Sequence, residues 1–303
     1  MFTLQIAGQQ ERAKMTDFAG KTAVISGGAE GIGFSIAKAL GDVKMNIVLA
    51  DIDKANLEKA SSELEAAGIP VLAVALNVAD EAQWQEVAHQ AIARFGKIHM
   101  VVNNAGVTGD AGTIEQQDAK GWQWTLEVNL MGVVYGAKIM VPLIKQHGEG
   151  GWLVNVASMA GMGGIPYGGV YTATKSAVVA LTESWAVELS DHQINVSVLC
   201  PGFVQTRIHE SHRNRPAQYA SDNGNSSGSS SALEQNAKQM VENGIEVSIV
   251  GKRLVEALSA GEMYVFTHPQ YRSAIEKRFK AIDAAFESAA QSPLLQDIFN
   301  QKV

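Results

Sequence analysis

The chain has 303 residues, 46% of them hydrophobic, and a formal net charge of −7. This length provides for one large domain or two small ones, with a substantial core. The acidic balance argues against nucleic acid or an anionic membrane as a main partner. The one cysteine, Cys200, excludes an intramolecular disulfide and a cysteine-rich metal site, so no metal site is predicted. It follows an apolar run, which favours a buried, unreactive thiol.

The sequence has no uninterrupted apolar run of about 18 residues, so no membrane span is expected. Residues 1–14 lack the apolar core of a secretion signal, and Met15 is a candidate natural start. The expected location is the cytoplasm.

A buried strand predicted at residues 22–25 leads into a glycine-rich loop and then into a helical pattern at 36–40. Glycines let a backbone approach a pyrophosphate closely, and the start of a helix offers free N–H groups to an anion. A glycine cluster alone is more often a tight turn, but the order of strand, loop and helix predicts a dinucleotide site. The loop residues concerned are Gly27, Glu30, Gly31, Ile32 and Gly33.

A second predicted strand, at residues 46–50, ends at Asp51. A carboxylate at this point would accept a hydrogen bond from the ribose 2′-hydroxyl of NAD and repel the 2′-phosphate of NADP. Neither Glu30 nor Ile52 supplies a cation to receive that phosphate. NAD is therefore the predicted cofactor. The alternative role of Asp51, a helix N-cap, is compatible with this one.

The same alternation of strand and helix continues along the chain. Further strands are predicted at 71–76, 100–102, 152–156, 195–199 and 263–266, and helices at 57–64, 81–95, 122–144, 171–189, 232–243, 247–259 and 270–289. This order predicts one α/β domain with a doubly wound, mostly parallel seven-stranded sheet and helices on both faces, a Rossmann-like fold. Ligands bind such sheets at the carboxyl ends of the strands. Candidate residues there are Asn77, Val78, Asn104, Ala105 and Gly106.

The predicted organisation has three parts. Residues 1–15 form an N-terminal extension, residues 16–268 the catalytic domain, and residues 269–303 a helical C-terminal extension. Within the domain, 203–245 is a candidate substrate lid with a flexible polar run at 221–231. The C-terminal helix is amphipathic and is expected to cover the parent domain or a partner subunit.

A Tyr-x-x-x-Lys pair, Tyr171 and Lys175, lies thirteen residues beyond Ser158. Residues four apart on a helix share a face. An ammonium about 4 Å from the phenol oxygen favours the phenolate by about 4 kcal/mol and so lowers the pKa, whereas burial raises it. The pattern predicts proton transfer for an alcohol and ketone pair if the cation prevails. Taken alone, the pair is more often a core tyrosine and a solvated lysine.

Taken together, these motifs resemble the short-chain dehydrogenase/reductase family over residues 18–206 and, more loosely, to 266. The motifs in the family's order are Gly27-x-x-x-Gly31-x-Gly33, Asn103-Asn-Ala-Gly106, Asn129, Ser158, Tyr171-x-x-x-Lys175 and Pro201-Gly202. The glycine spacing is similar to that of the shorter members. Ser26 stands where the family usually has threonine, and Asn77 where it usually has aspartate.

The resemblance implies a role for each catalytic residue. Tyr171 would be the general acid/base, and Ser158 would polarise the substrate oxygen. Lys175 would lower the pKa of Tyr171 and bind the nicotinamide ribose, and Asn129 would hold a water in the proton relay. Further cofactor contacts implied in the segment after the sixth strand are Pro201, Gly202, Val204 and Thr206.

The substrate is the least specified part of the prediction. Candidate pocket residues are mostly apolar and favour a bulky hydrophobic or aromatic alcohol or ketone: Val107, Met159, Met162, Ile165, Tyr167 and Phe203. The run at 206–216 looks similar to bacterial aryl-alcohol Cα-dehydrogenases. His209, Arg213 and Arg215 are interpreted as charges on a mobile lid rather than ligand contacts. The resemblance also implies a homodimer or homotetramer built on the helices at 122–144 and 171–189.

Two other functions remain open. One is a non-catalytic dinucleotide-binding sensor on the same fold, although such proteins usually lose the tyrosine or lysine. The other is an epimerase or dehydratase that retains its cofactor, which the glycine spacing argues against.

Overall fold

The computed structural model describes residues 17–220 and 231–295. The extension predicted at 1–15 and the flexible run predicted at 221–231, apart from its last residue, lie outside these ranges.

Each central strand forms from a continuous apolar run because helices cover both faces of a parallel sheet. The first strand, for example, is buried over its whole length. The strands are β1 (Thr22–Ser26), β2 (Asn46–Asp51), β3 (Val71–Ala75), β4 (Met100–Asn103), β5 (Gly151–Val156), β6 (Ile194–Cys200) and β7 (Tyr264–Phe266). All seven strands that the sequence predicts are present.

The strands form one sheet in the order β3-β2-β1-β4-β5-β6-β7. Every pairing among the described strands is parallel, so the sheet is parallel throughout rather than mostly so. The predicted doubly wound α/β fold is confirmed. The strand order reverses between β1 and β4, which places the ligand crevice of such a fold beside their carboxyl ends.

Helices connect the strands and cover both faces of the sheet. They are α1 (Gly31–Asp42), α2 (Lys54–Ala66), α3 (Glu81–Phe95), α4 (Ala119–Leu126), α5 (Gly132–His147), α6 (Gly169–Glu188), α7 (Ser231–Glu242), α8 (Val247–Ala260) and α9 (Arg272–Ala290). One core contains Ile36 of α1 and Leu254 of α8, and another contains Trp84 of α3 and Met140 of α5. The two cores lie on opposite faces of the sheet.

One π-helical turn, Glu127–Met131, joins α4 to α5, so the helix predicted at 122–144 runs from Ala119 to His147. By length and composition this stretch is the one described helix that passes as a membrane span. Met140 and Ile144 are nevertheless fully buried in the core. An apolar helix in the interior of a domain meets the same criteria of length and composition as a membrane span. The burial of these residues therefore identifies the stretch as a core helix.

The candidate lid is largely structured within the described residues. It contains 3₁₀ turns at Ile208–Asn214 and Ala217–Tyr219, followed by α7. A β-bridge between Val204 and Ile245 holds its two ends together. The C-terminal extension is helical as predicted, but α9 does not cover its own domain: residues 276–291 are all exposed.

Candidate active site

The glycine-rich loop turns sharply between β1 and α1. Gly27 and Gly31 have φ angles of 62° and 57°, in the left-handed region that favours glycine. A Cβ on Gly33 would lie 2.0 Å from the Gly27 carbonyl oxygen, so the loop packs too closely for any side chain there. Three glycines are thus required by the backbone itself.

Ser26 and Asn104 fasten this loop to the end of β4. The Ser26 hydroxyl accepts from the main-chain N–H of Asn104 at 3.0 Å, and the Asn104 amide donates to the carbonyls of Ser26 and Gly27. Ser26 therefore braces the turn in place of the usual threonine. The Asn104 side-chain amide is therefore bonded to the glycine-rich loop and is not directed at a ligand.

The fit of a dinucleotide rests on the N-terminus of α1. Glu30 is its N-cap residue but makes no side-chain capping bond, so the first N–H groups of the helix are not capped by that side chain. Such groups bind phosphate well because they carry the positive end of the helix dipole. The donor set of this loop therefore suits a pyrophosphate.

Asp51, at the end of β2, is buried beside this loop. Its carboxylate accepts from the main-chain N–H groups of Ala29 and Asp53, each at 3.0 Å. Burial raises the pKa of Asp51, while these hydrogen bonds oppose the rise. The N-cap of α2 is Asp53, so the alternative role of Asp51 as a helix cap is wrong. A carboxylate at the end of the second strand is of the type that accepts a hydrogen bond from a ribose hydroxyl.

Other predicted cofactor residues surround the same edge. Ile52 is exposed and Val78 is buried. The Asn77 side-chain oxygen accepts from the N–H of Ala79 at 3.1 Å, so a ligand would meet its amide nitrogen. This geometry leaves Asn77 with a donor where an aspartate would offer an acceptor.

Two arginines of the lid reach the glycine-rich loop, a contact that the sequence does not reveal. The Arg213 guanidinium forms an ion pair with Glu30, and an Arg207 nitrogen lies 3.4 Å from the same carboxylate. The Thr206 side chain also lies beside Gly31, 3.4 Å from where its Cβ would be. Neither Glu30 nor Ile52 is itself a cation, as the sequence shows, but the lid brings two arginines to Glu30.

Asn129 is fully buried in the π-helical turn and holds the loop after β4. Its side-chain oxygen accepts from the N–H of Val107, and its amide donates to the Val107 carbonyl, both at 2.8 Å. The amide also donates to the Thr174 hydroxyl at 3.2 Å. These bonds use both amide hydrogens and one lone pair of the side-chain oxygen, which leaves its second lone pair for a further donor such as a water. Thr174 is a site residue that the sequence analysis missed.

Gly106 brings this loop close to the candidate catalytic residues. A Cβ there would lie 3.3 Å from the Asn129 side-chain oxygen and 3.4 Å from the Lys175 Nζ. Asn129 and Lys175 therefore share one side of the crevice. Ala105, the preceding residue, is held by its N–H to the Ser26 hydroxyl at 3.2 Å.

Ser158 begins a 3₁₀ turn directly after β5. Its hydroxyl accepts from the Ala160 N–H at 3.1 Å and donates to the Pro201 carbonyl at 3.4 Å. The second bond ties the serine to the segment after β6. Rotation of this hydroxyl would free it to face a substrate oxygen.

Tyr171 and Lys175 lie on one face of α6, with the Lys175 Nζ 5.7 Å from the centroid of the tyrosine ring. The ammonium donates to the Val156 carbonyl at 2.9 Å. Burial raises the pKa of Tyr171, and hydrogen bonding to Ser158 only partly opposes this. Burial also lowers the pKa of Lys175, to about 8. The condition that the cation prevails over burial is not met by these shifts, because burial is the largest cause for Tyr171 and the Lys175 ammonium is directed at a carbonyl.

The segment from Pro201 to Thr206 closes the crevice. Val204 is buried in the core, so its side chain does not face a cofactor. The Gly202 N–H donates to Nδ1 of His268 at 3.1 Å, and Nε2 of His268 lies 3.1 Å from the Phe203 carbonyl. A Cβ on Gly202 would be 2.8 Å from the ring of His268, so only glycine fits against it. Sequence reasoning missed His268, which has no motif around it.

The predicted apolar pocket residues separate in the structure. Met162 packs into a core cluster with Cys200, whose buried thiol has its pKa raised to about 12. Phe203 lines a separate cavity of about 660 Å³ with residues of α7 and Tyr271. Val107 packs against Trp124 and Tyr219. Met159 stays partly buried, while Ile165 and Tyr167 are about half exposed on the surface.

Arg215 is not a mobile surface charge as expected. Its guanidinium lies 2.8 Å from the Asp110 carboxylate and 5.3 Å from the centroid of the Trp124 ring. It also donates to the Tyr219 carbonyl at 2.9 Å. The Tyr219 hydroxyl bonds to Glu127 of the π-helical turn. These contacts anchor the first part of the lid to the rest of the domain. The side chain of His209 differs, because its buried Nδ1 has no hydrogen-bond partner among the described residues.

At the opposite edge of the sheet, His99, His147 and Glu149 are close enough together to hold a metal ion. Both ring nitrogens of each histidine already have hydrogen-bond partners. Nδ1 of His99 accepts from the Thr22 N–H, so its Nε2 carries the proton toward Glu149 in the neutral ring. A metal at that nitrogen would disturb both bonds, and the cluster fits a structural network better.

The comparisons with known proteins agree with this geometry. A family model described as short chain dehydrogenase matches residues 21–217. A CLA biosynthesis dehydrogenase/reductase from Lactiplantibacillus plantarum is 35% identical over 272 residues, which cover 88% of this chain and 95% of that protein. A C alpha-dehydrogenase from Sphingobium sp. is 32% identical over 272 residues, with 88% and 87% covered.

Among solved structures, a short chain dehydrogenase/reductase from Burkholderia phymatum in complex with NAD is similar, with a TM-score of 0.86 and 34% identity. The match covers 89% of this chain and 97% of that one. The matched family model spans the glycine-rich loop, the serine, and the tyrosine and lysine of α6. On this combined basis the chain belongs to the short-chain dehydrogenase/reductase family of oxidoreductases.

Proposed function

We propose that this protein is an NAD(H)-dependent oxidoreductase that interconverts a secondary alcohol and a ketone, with Tyr171 as the general acid/base. The observation that carries the proposal is the grouping of Ser158, Tyr171 and Lys175 beside the crevice. The Lys175 ammonium lies on the same helix face as Tyr171, 5.7 Å from the centroid of its ring, and the presence of Ser158 beside the phenol lowers the pKa of Tyr171. The glycine-rich loop lies across the crevice from them.

In this mechanism the Ser158 hydroxyl orients the substrate oxygen and Tyr171 exchanges a proton with it. The raised pKa of Tyr171 keeps the phenol protonated at neutral pH, which suits donation to a ketone oxygen. In the alcohol-oxidising direction the same group must first lose its proton, which the positive charge of Lys175 favours. Bound NAD(H) supplies the hydride transfer.

The preference for NAD over NADP rests on two carboxylates. Asp51 and Glu30 both lie at the adenosine end of the crevice and would repel a 2′-phosphate. Arg207 and Arg213 reduce the repulsion but are already paired with Glu30. The similar Burkholderia phymatum structure contains NAD, which supports the same choice. The residues proposed to bind the cofactor remain those of the sequence analysis, except that the Asn104 side chain braces the glycine-rich loop and the Val204 side chain lies in the core.

A bulky hydrophobic or aromatic substrate is proposed. Met159 follows the serine directly, and Val107 packs against Trp124 of α4 and Tyr219 of the lid. The names of the similar proteins point the same way, since they include a C alpha-dehydrogenase and a cyclohexanol dehydrogenase. We also propose a cytoplasmic homodimer or homotetramer built on α4, α5 and α6.

The alternative is a non-catalytic dinucleotide-binding sensor. The retained serine, tyrosine and lysine argue against it, because a sensor has no need of a proton-transfer group. Cofactor binding without turnover in either direction would favour the sensor.

The test is to follow absorbance at about 340 nm with NAD and a panel of aliphatic and aromatic secondary alcohols. Tyr171→Phe is expected to lower kcat at least about 100-fold while leaving NAD affinity within about twofold. Tyr167→Phe, a matched change at an exposed tyrosine, serves as the control and should be neutral. Full activity of Tyr171→Phe would disprove the assignment of the proton donor.

A further inference from the structure

The C-terminal helix α9 projects away from the domain. Ile275, near its start, packs against a core cluster and is only partly buried. From residue 276 to residue 291 every position is exposed. An isolated helix of this length is marginally stable in water, so a helix that carries apolar residues usually gains its stability from packing.

The exposed face carries a narrow apolar stripe. Its exposed members are Phe279, Ile282 and Phe286, and the partly buried Ile275 continues the stripe toward the domain; the four residues are spaced four, three and four apart. Phe279 is 52% exposed, Ile282 40% and Phe286 72%. This spacing is that of a coiled-coil seam, which packs against one other helix. A helix that lies on a membrane has a wider apolar face and a strongly basic polar face.

The charges of α9 are divided along its length. The first half, residues 272–280, has four cations and one acid: Arg272, Glu276, Lys277, Arg278 and Lys280. The second half, residues 281–290, has two acids and no cation: Asp283 and Glu287. The helix is therefore positive at one end and negative at the other.

From the stripe and the divided charge we propose that α9 is a self-association surface, and that it pairs in antiparallel orientation with α9 of a second copy of this chain. A two-fold axis across the helix sets each basic half against the acidic half of the other copy. A parallel pair would set like charges together along its whole length. This α9 contact does not involve α4, α5 or α6. It therefore joins two subunits even if α4, α5 and α6 form a second subunit interface.

The first test is sedimentation velocity on the full chain over a range of protein concentrations. Phe279→Glu with Phe286→Glu is expected to halve the mass of the assembly, or to raise its dissociation constant at least tenfold. Ala281→Glu with Ala284→Glu, on the opposite face of the helix, is the matched control and should change neither. Because all four positions are exposed, thermal unfolding of the domain should be unaffected. An unchanged mass in the phenylalanine variant, or a monomeric natural protein, overturns the proposal.

The orientation is tested by exchanging charges. Asp283→Arg with Glu287→Arg is expected to weaken the assembly at least tenfold, since both halves then repel. Adding Arg272→Glu and Arg278→Glu to that variant should restore it, because the halves are complementary again. Failure of the fourfold variant to recover overturns the antiparallel pairing. Binding of the natural protein to anionic vesicles, lost in the phenylalanine variant without change of mass, would assign the helix to a lipid surface instead.

Discussion

The Lys175 ammonium donates to the main-chain carbonyl of Val156, at the end of β5, over 2.9 Å. This bond holds the cation beneath the crevice, 5.7 Å from the centroid of the Tyr171 ring. Burial lowers the pKa of Lys175 to about 8, whereas a solvated lysine keeps its proton to about pH 10. Lys175 therefore loses its positive charge, which is proposed to assist Tyr171, within the pH range in which many enzymes work.

The pH dependence of ketone reduction should reveal this loss. We expect kcat/KM for NADH to fall as the pH rises through about 8, because neutral Lys175 no longer stabilises the phenolate that forms on proton donation. Lys175→Met should be at least about 100-fold slower and should not show this fall. The measurement is kcat/KM for NADH at intervals from about pH 6 to about pH 10 in one buffer system. A natural enzyme with a flat profile up to about pH 10 would contradict the assignment.

Glu30 is expected to control the choice of cofactor through the lid. Glu30→Gln removes a negative charge and frees the guanidinium groups of Arg207 and Arg213 beside the glycine-rich loop. The ratio of kcat/KM for NADP to that for NAD should rise about fivefold, the effect of about 1 kcal/mol for a partly exposed charge. Glu63→Gln, another exposed ion-pair carboxylate far from the loop, is the control. An unchanged ratio would show that these groups do not meet the ribose.

His268 should matter for cofactor binding although it lies behind the crevice. His268→Phe keeps a ring but removes both hydrogen bonds to the Gly202–Phe203 backbone. Each such bond contributes about 1 kcal/mol, so KM for NAD should rise about five- to tenfold with a smaller change in kcat. His268→Asn, which retains an acceptor for the Gly202 N–H, should recover part of the affinity. A variant that loses only thermal stability would contradict the positioning role.

The ion pair between Asp110 and Arg215 should stabilise the lid anchor. Both side chains are about 90% buried, at 10% and 12% exposure for Arg215 and Asp110. Asp110→Asn leaves a buried guanidinium without its counter-charge, which is expected to cost about 3 kcal/mol of unfolding free energy. Asp42→Asn, at an exposed position at the end of α1, should cost nothing measurable. Urea unfolding of the three proteins provides the comparison, and equal midpoints would rule out the anchor.

The sequence by itself determined the order of strands and helices. Strand runs such as residues 23–25 are apolar at every position, which is typical of a sheet with helices on both faces. The glycine-rich loop was equally predictable, because Gly27, Gly31 and Gly33 are required by local backbone geometry. The candidate residues Ser158, Tyr171 and Lys175 follow fixed positions on these local elements, so their spacing revealed them.

The tertiary structure alone decided contacts between distant segments. Arg213 meets Glu30, Arg215 meets Asp110, and His268 holds Gly202, each across a separation that no local pattern records. The direction of the Tyr171 pKa shift likewise depends on how much protein surrounds the phenol. Burial and long-range charge are properties of the packed chain, and so is the exposure of α9 over residues 276–291.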